Sequence, residues 1–184
     1  MKDISLHILD LVQNSISAGA AFVEITIKDI LDDNTLSIIV SDDGIGMNET
    51  QVTNALDPFY TTRTTRNVGL GIPMFKAQAE ASGGSFVLIS EEGKGTRIEA
   101  IFNTRSIDCL PTGNMVDTMT TLILCNPDVD FTYTHVYNGQ RFEFKTIDIK
   151  ARLDEVSIAQ TEVITWIRDY ISENINELYG GVNK

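Results

Sequence analysis

An acidic pair followed by two glycines lies at the end of an apolar segment, residues Thr35–Met47. In this segment Leu36, Ile38 and Val40 alternate with polar residues, as in a strand with one buried face. The sequence Asp42–Gly46 (DDGIG) follows directly. Glycine lacks a Cβ, so the backbone there can turn sharply and approach a flat ligand closely. A carboxylate at the strand end can accept a hydrogen bond from an exocyclic amine, such as that of adenine, although the pattern alone also fits a tight acidic turn.

A polar stripe on the first predicted helix, residues 3–18, supplies a second group of candidate residues. The helix is expected because apolar side chains recur at helical spacing along one face. His7, Asp10, Asn14 and Ser17 share the other stripe. Asp10 and Asn14 lie one turn apart, which allows a carboxylate and an amide to converge on one hydrated cation. A merely solvated polar face is the alternative interpretation.

A third segment, residues 57–72, combines hydroxyl side chains, two arginines and a second pair of glycines. Its first part has no clear period and is expected to be a loop. Pro73 fits the first turn of a helix that continues over Met74–Ser82. Glycines and hydroxyls before a helix N-terminus favour anion binding, because free N–H groups point outward there. The Gly-Lys-Ser/Thr sequence of a Walker-type phosphate loop is absent.

The elements between these segments predict one layered domain. Their order is helix, strand, strand, glycine loop, open loop, helix, strand, strand, which predicts a two-layer α/β sandwich with the helices on one face of the sheet. The remaining elements expected in this part are the strands Ala21–Lys28, Ser85–Ser90 and Thr96–Asn103 and a short helix over Glu49–Leu56.

A C-terminal extension, residues 106–184, follows a first domain of residues 1–105. A helix is expected over Asn114–Leu124, and a β-hairpin turns at Asn138-Gly139, a strong type I′ signal. A long helix over Ile147–Leu178, interrupted near Val156, completes the extension. The extension either packs on the first domain or forms a partner or dimer surface, since an isolated hairpin needs further support.

Composition limits the classes of partner. The 184 residues are 42% hydrophobic and carry a formal net charge of −12, so we expect a folded protein that binds neither nucleic acid nor anionic membrane broadly. No apolar run approaches the roughly 18 residues of a membrane span, and the N-terminus lacks a signal-peptide pattern. Two cysteines are too few for a disulfide framework. We therefore expect a cytoplasmic protein.

Several motifs together, over residues 1–104, resemble those of the superfamily of DNA gyrase, heat-shock chaperone, histidine kinase and MutL ATP-binding domains (GHKL). Its Bergerat fold is a sandwich of the expected kind. Asp10–Ala20 resembles the N box of the MutL type, and Asp42–Gly46 resembles the first glycine box. Asp57–Arg63 is similar to the F box of histidine kinases. Gly69–Ile72 and Gly93–Thr96 are similar to the later glycine boxes.

This resemblance implies binding of ATP with Mg²⁺ and assigns roles to residues. Asn14 would coordinate the metal, while Asp42 would accept from the adenine amine with support from Thr96. Arg63 or Arg66 would offset the triphosphate charge, unless they are solvated lid residues. The glycines would admit the base and wrap the phosphates, with Ile45 and Met47 as apolar walls. The expected ATP-binding residues are Asn14, Ala18, Asp42, Gly44, Ile45, Gly46, Met47, Phe59, Thr61, Thr62, Arg63, Val68, Gly69, Leu70, Gly71, Ile72 and Thr96.

One departure from the family concerns catalysis. Hydrolytic members carry a glutamate one turn before the N-box asparagine, and here that position is Asp10, which is shorter by one methylene. A general base must lie within hydrogen-bond reach of its proton donor, so a shift of about 1 Å can cost on the order of 100-fold in rate. Asp10 is therefore a candidate general base for slow hydrolysis, a metal-binding aid, or inert.

Three functions remain open at this point. The favoured one is an ATP-gated interaction protein that acts on an unidentified partner or as a homodimer. The alternatives are a protein kinase acting in trans on a partner, of anti-sigma or two-component type, and a nucleotide sensor without turnover. His7 is interpreted as a polar contact of the first helical turn, and His135 as a residue on a strand surface, so neither is expected to accept a phosphoryl group.

Overall fold

The computed structural model describes residues 2–58 and 70–180. The helices and strands follow the expected order along the chain. They are α1 (Ile4–Ser17), β1 (Phe22–Ile30), β2 (Thr35–Asp42), α2 (Glu49–Ala55), α3 (Gly71–Ala81), β3 (Ser85–Glu91), β4 (Gly95–Asn103), α4 (Met115–Cys125), β5 (Asp130–Tyr137), β6 (Gln140–Lys145), α5 (Thr146–Leu153) and α6 (Thr161–Leu178).

These strands form one six-stranded sheet in the order β3-β4-β2-β1-β5-β6. Neighbouring strands are antiparallel except β1 and β5, which are parallel, with Val23 opposite Phe131. In the antiparallel pair of β2 and β4, Asp42 lies opposite Thr96. The predicted α/β sandwich with a helix–hairpin–helix extension is confirmed.

A single hydrophobic core joins the sheet to its helices. Val23, Ile25 and Ile27 on one face of β1 are completely buried, whereas Lys28 is exposed. Each fully buried aliphatic or aromatic side chain contributes about 1.5–3 kcal/mol relative to exposure. The helical side chains that complete this core are Ile4, Ile8, Leu11 and Val12 of α1, Phe75 and Ala79 of α3, Met119 and Leu122 of α4, and Ile167 and Ile171 of α6.

Helix α1, which carries Asp10 and Asn14, is held at its first turn by side-chain and backbone acceptors. The Asp3 side chain accepts from the backbone N–H of Leu6 at 3.1 Å. The segment before α4 also contributes, because the Pro111 carbonyl accepts from the Ile4 N–H at 3.0 Å. The extension therefore helps to hold the helix that carries the N box.

The extension continues the sheet of the first domain. Its turn has positive φ at both Asn138 (46°) and Gly139 (84°), which confirms the type I′ prediction. The expected break in the last helix is also confirmed, because α5 ends at Leu153 and α6 begins at Thr161. The hairpin packs on the first domain through the pairing of β5 with β1. The division at residue 105 stays a prediction.

Candidate functional site

A carboxylate held by three donors lies at the end of β2. Oδ1 of Asp42 accepts from the backbone N–H groups of Gly44 at 3.0 Å and Thr96 at 3.2 Å. Its Oδ2 accepts from Oγ of Ser15 at 2.6 Å. The Asp42 residue as a whole is half-buried. These bonds fix the direction of an acceptor-only group, which can still accept from an amine on a bound molecule.

The glycine loop after β2 packs closely against its neighbours. A Cβ at Gly46, where φ is 65°, would lie 2.0 Å from the carbonyl oxygen of Glu91. A Cβ at Gly44 would lie 3.0 Å from the carbonyl oxygen of Ala18, which also accepts from the Ile45 N–H at 3.0 Å. The loop is therefore clamped between the end of α1 and the β3–β4 turn, and only glycine fits at residue 46.

Two side chains beside this loop differ in exposure. The Ile45 side chain is 68% exposed, and Met47 is half-buried. The Met47 N–H donates to Oγ of Ser90 at 2.8 Å, and this oxygen lies 2.9 Å from Oγ1 of Thr96. Ser90 thus connects the glycine loop to Thr96, a link that sequence reasoning missed. An isolated serine at a strand end carries no signal that could have revealed it.

The start of α3 lies against the polar stripe of α1. A Cβ added at Gly71 would lie 1.7 Å from Oδ2 of Asp10 and 3.7 Å from Nδ2 of Asn14. Leu70 precedes the helix without a side-chain cap, and its carbonyl accepts from the Met74 N–H at 2.9 Å. The first N–H groups of a helix have no intrahelical acceptor, and Ile72 beside Gly71 is half-buried. A carboxylate, an amide and a helix N-terminus therefore meet at one point.

Part of the expected site lies outside the described residues. This applies to Phe59, Thr61, Thr62, Arg63, Arg66, Val68 and Gly69. The described candidates form two groups, one around Asp42 and one around Asp10 and Gly71. The N-box helix connects them, because Ser15 contacts the first group while Asp10 and Asn14 belong to the second.

Asp43 has a structural role that its sequence position did not reveal. Its Oδ1 accepts from the backbone N–H groups of Ala21 and Phe22, both at 2.8 Å. The carboxylate therefore ties the glycine loop to the start of β1. Of the two adjacent aspartates, Asp42 lies opposite Thr96 at the site and Asp43 holds the backbone.

Both histidines are buried, which corrects the expectations for them. His7 is 1% exposed, lies 5.3 Å from the Phe75 ring, and neither of its nitrogens has a hydrogen-bond partner among the described residues. Burial lowers the pKa of His7 to about 4. His7 is thus a core residue rather than a polar contact, as its spacing from Ile4 and Leu11 (i+3 and i−4) indicates.

His135 is a buried strand residue and does not lie on a surface. Its Nδ1 lies 2.7 Å from the Tyr133 hydroxyl, and its Nε2 lies 3.1 Å from the Tyr179 hydroxyl. Burial lowers the pKa of His135 to about 4. Alternation along β5 could have predicted this position, because residues 131, 133 and 135 share one face of the strand.

Two other kinds of site are absent from the described residues. No helix in residues 2–58 or 70–180 is long and apolar enough to cross a membrane. In the same ranges, no three His, Cys, Asp or Glu side chains are grouped so as to hold a metal ion.

Comparisons with known proteins identify relatives of the first domain. Sporulation kinase E of Bacillus subtilis is 37% identical over 97 residues, which are 52% of this chain and 13% of the kinase. The cell-division control histidine kinase PdhS of Brucella canis is 30% identical over 115 residues, which are 55% of this chain and 11% of that kinase. The chain thus matches only a small part of each relative.

A solved structure described as the N-terminal domain of a DNA repair protein has a similar fold. Its TM-score is 0.51 at 16% identity, with 78% of this chain and 52% of that chain covered. The family model of the histidine kinase-, DNA gyrase B- and HSP90-like ATPases matches residues 2–106, which is more than half of the chain. The chain therefore belongs to the histidine kinase-, DNA gyrase B- and HSP90-like ATPase family.

Proposed function

We propose that this chain is an Mg–ATP-operated switch, in which bound ATP changes the surface offered to a protein partner and slow hydrolysis resets it. The observation that carries the proposal is the contact between Gly71 and Asp10, one turn before Asn14. It brings the candidate metal-binding residues of α1 to the N-terminus of α3, where an anion is favoured. A nucleoside triphosphate bound there would contact both α1 and α3, so loss of its terminal phosphate would alter the contact between these helices.

The adenine end of the nucleotide would lie at Asp42. A carboxylate can only accept hydrogen bonds, so it would favour the amine of adenine over a carbonyl at the same position. The three donors around Asp42 hold it in place before a ligand arrives, which lowers the entropy cost of binding. Gly44 and Gly46 let the loop pack closely beside Asp42, and the exposed Ile45 would cover one side of the base.

The residues around Asp10 fit a magnesium ion bound together with a triphosphate. Mg²⁺ commonly takes one or two protein oxygens and completes its shell with phosphate and water. Neither Asp10 nor Asp42 forms an ion pair with a described cationic side chain, so no described cation balances their negative charge. The metal would supply that balance. Asn14 would present its side-chain oxygen to the metal. Asp10 would either hold a water molecule by a hydrogen bond or accept a proton from it.

Phosphoryl transfer to another protein is the second candidate, because both named relatives are kinases. Both histidines of this sequence are buried, so a histidine phosphoacceptor would belong to another protein. A kinase would share the nucleotide site but would transfer phosphate to a partner instead of releasing it. The two candidates therefore differ in the product and share the binding step.

Calorimetric titration with Mg–ATP and Mg–ADP tests the binding step. We expect the wild-type chain to bind ATP more tightly than ADP, and Asp42→Asn to lose at least tenfold in affinity, about 1.4 kcal/mol. Asp33→Asn, which removes the same charge in an exposed turn, is the control and should bind as the wild type. Equal binding of both nucleotides would instead favour a sensor, and no binding would refute the proposal.

The product of γ-labelled ATP then separates the two candidates. Released inorganic phosphate with no labelled protein supports the switch, and Asp10→Asn should slow that release. Labelled protein in the presence of a cell extract supports the kinase. Unchanged phosphate release in Asp10→Asn would show that Asp10 is not the base.

A further inference from the structure

A stacked aromatic pair lies on the exposed side of α6. Trp166, the one tryptophan of the chain, is 50% exposed, and Tyr170 one turn later is 37% exposed. Their ring centroids are 5.2 Å apart and the planes differ by 13°. Large aromatic side chains at such exposure are enriched in binding surfaces. This pair lies in the extension, outside the region that matches the ATPase family.

The aromatic pair is held in place by the edge strand of the sheet. The Tyr170 ring lies 5.9 Å from that of Phe142 and 6.3 Å from that of Phe144, and both phenylalanines are buried. Trp166 is fixed in turn by its stacking on Tyr170. Trp166 would therefore lose little side-chain entropy when a partner covers it, which is a property of efficient binding surfaces.

Exposed carboxylates share the flank of α6 that carries this aromatic pair. Exposed acidic residues lie three, four or seven positions from the aromatic residues, so they share the same flank of the helix. They are Glu162, Asp169, Glu173 and Glu177. None of them forms an ion pair with a described residue. Arg168, the one cation of α6, forms an ion pair with Asp117 of α4.

We propose that this flank of α6 is a docking surface for a segment of a partner protein that carries lysine or arginine. One cationic side chain would cover the exposed face of Trp166, where the ring quadrupole attracts positive charge. Neighbouring cations would pair with Glu162 and Glu173 at the rim. A second copy of the chain fits this surface poorly, because two such flanks would oppose carboxylates to carboxylates. Nucleotide binding is not required for this docking.

Tryptophan fluorescence tests the proposal directly, because Trp166 is the only tryptophan. The probe is a short amidated peptide in which lysine and arginine alternate with serine, titrated into the full chain at physiological salt. A peptide with glutamate in place of the cations is the control ligand. We expect a saturable change in emission with the basic peptide and none with the acidic one.

Matched variants distinguish this surface from the general negative charge of the protein. Calorimetry should show about fivefold weaker binding of the basic peptide to Glu162→Gln/Glu173→Gln, and a similar loss for Trp166→Leu. The control Asp32→Asn/Asp33→Asn removes two charges from an exposed turn and should change affinity less than twofold. Equal weakening by both double variants, or no saturation, would overturn the proposal. So would a concentration-dependent dimer that Trp166→Leu abolishes.

Discussion

Replacing Gly71 by alanine tests the contact on which the candidate site depends. The new methyl group would lie 1.7 Å from Oδ2 and 2.9 Å from Cγ of Asp10, far inside van der Waals contact. Either the carboxylate must rotate away from α3, or α3 must move away from α1. Both responses change the position of the Asp10 carboxylate relative to the start of α3, so the substitution should impair nucleotide binding as well as packing.

The expected magnitude follows from two opposing effects. Alanine is favoured over glycine in a helix by up to about 1 kcal/mol, and less at the first helical position, where Gly71 lies. Overpacking of a tight contact costs about 1–3 kcal/mol. In the wild-type background we therefore expect Gly71→Ala to destabilise the fold by about 1–2 kcal/mol. With Asp10→Ala the clash is removed, and the same change should be neutral or slightly stabilising.

A double-mutant cycle measures this difference. Urea unfolding of the wild-type chain, Gly71→Ala, Asp10→Ala and the double variant should give a coupling free energy of about 1–2 kcal/mol. Additive effects, with a coupling below about 0.3 kcal/mol, would show that the two residues do not touch in solution. Mg–ATP titration of the same variants should show the largest loss of affinity in Gly71→Ala, where the Asp10 carboxylate is displaced.

Three further outcomes are expected. Ser15→Ala removes the donor to Oδ2 of Asp42 and should cost about 1–2 kcal/mol in unfolding free energy together with a fall in Mg–ATP affinity, whereas unchanged affinity would mean that Asp42 is positioned without it. Asp43→Ala should destabilise the fold by about 1–3 kcal/mol, but its folded fraction should bind ATP normally by calorimetry. The pKa of His7 is about 4 in the folded protein and about 6.5 in the unfolded chain. Between these values the unfolded chain binds a proton that the folded protein does not, so the free energy of unfolding is highest above pH 6.5 and falls as the pH drops towards 4. Between pH 7 and 5 this loss is about 2 kcal/mol, and His7→Leu should remove it from the pH dependence of urea unfolding; an unchanged dependence would refute the assignment.

The residues that the sequence marks for chemistry were identified by local patterns. The alternation before Asp42 predicts a strand, and the glycines after it predict a close turn; both follow from backbone geometry within a few residues. The hairpin at Asn138-Gly139 is predictable for the same reason, since its turn type requires positive φ at both positions. The family resemblance added the order of the motifs, and the family match over residues 2–106 agrees with it.

Burial was less predictable than secondary structure. Helical spacing predicts His7 on the polar stripe of its helix, yet the Phe75 ring of α3 lies against it. The sequence pattern predicts His135 on a strand surface, yet the Tyr179 hydroxyl from the end of α6 lies against it. In each case an element distant in sequence decides whether water reaches the side chain. A periodic pattern specifies a face of a helix or strand, but the packing of other elements determines whether that face is covered.

The sequence by itself thus determined the elements, the order of the motifs and the residue types available for nucleotide chemistry, because these depend on short-range backbone preferences and composition. The tertiary structure alone decided which candidates meet. Ser15 reaches Asp42 and Gly71 reaches Asp10 only because α1, β2 and α3 pack on one core. The tertiary structure also decided that β5 pairs with β1 in parallel, which joins the extension to the ATPase sheet. Such contacts are set by the burial of whole apolar faces, a free energy that no single segment of the sequence contains.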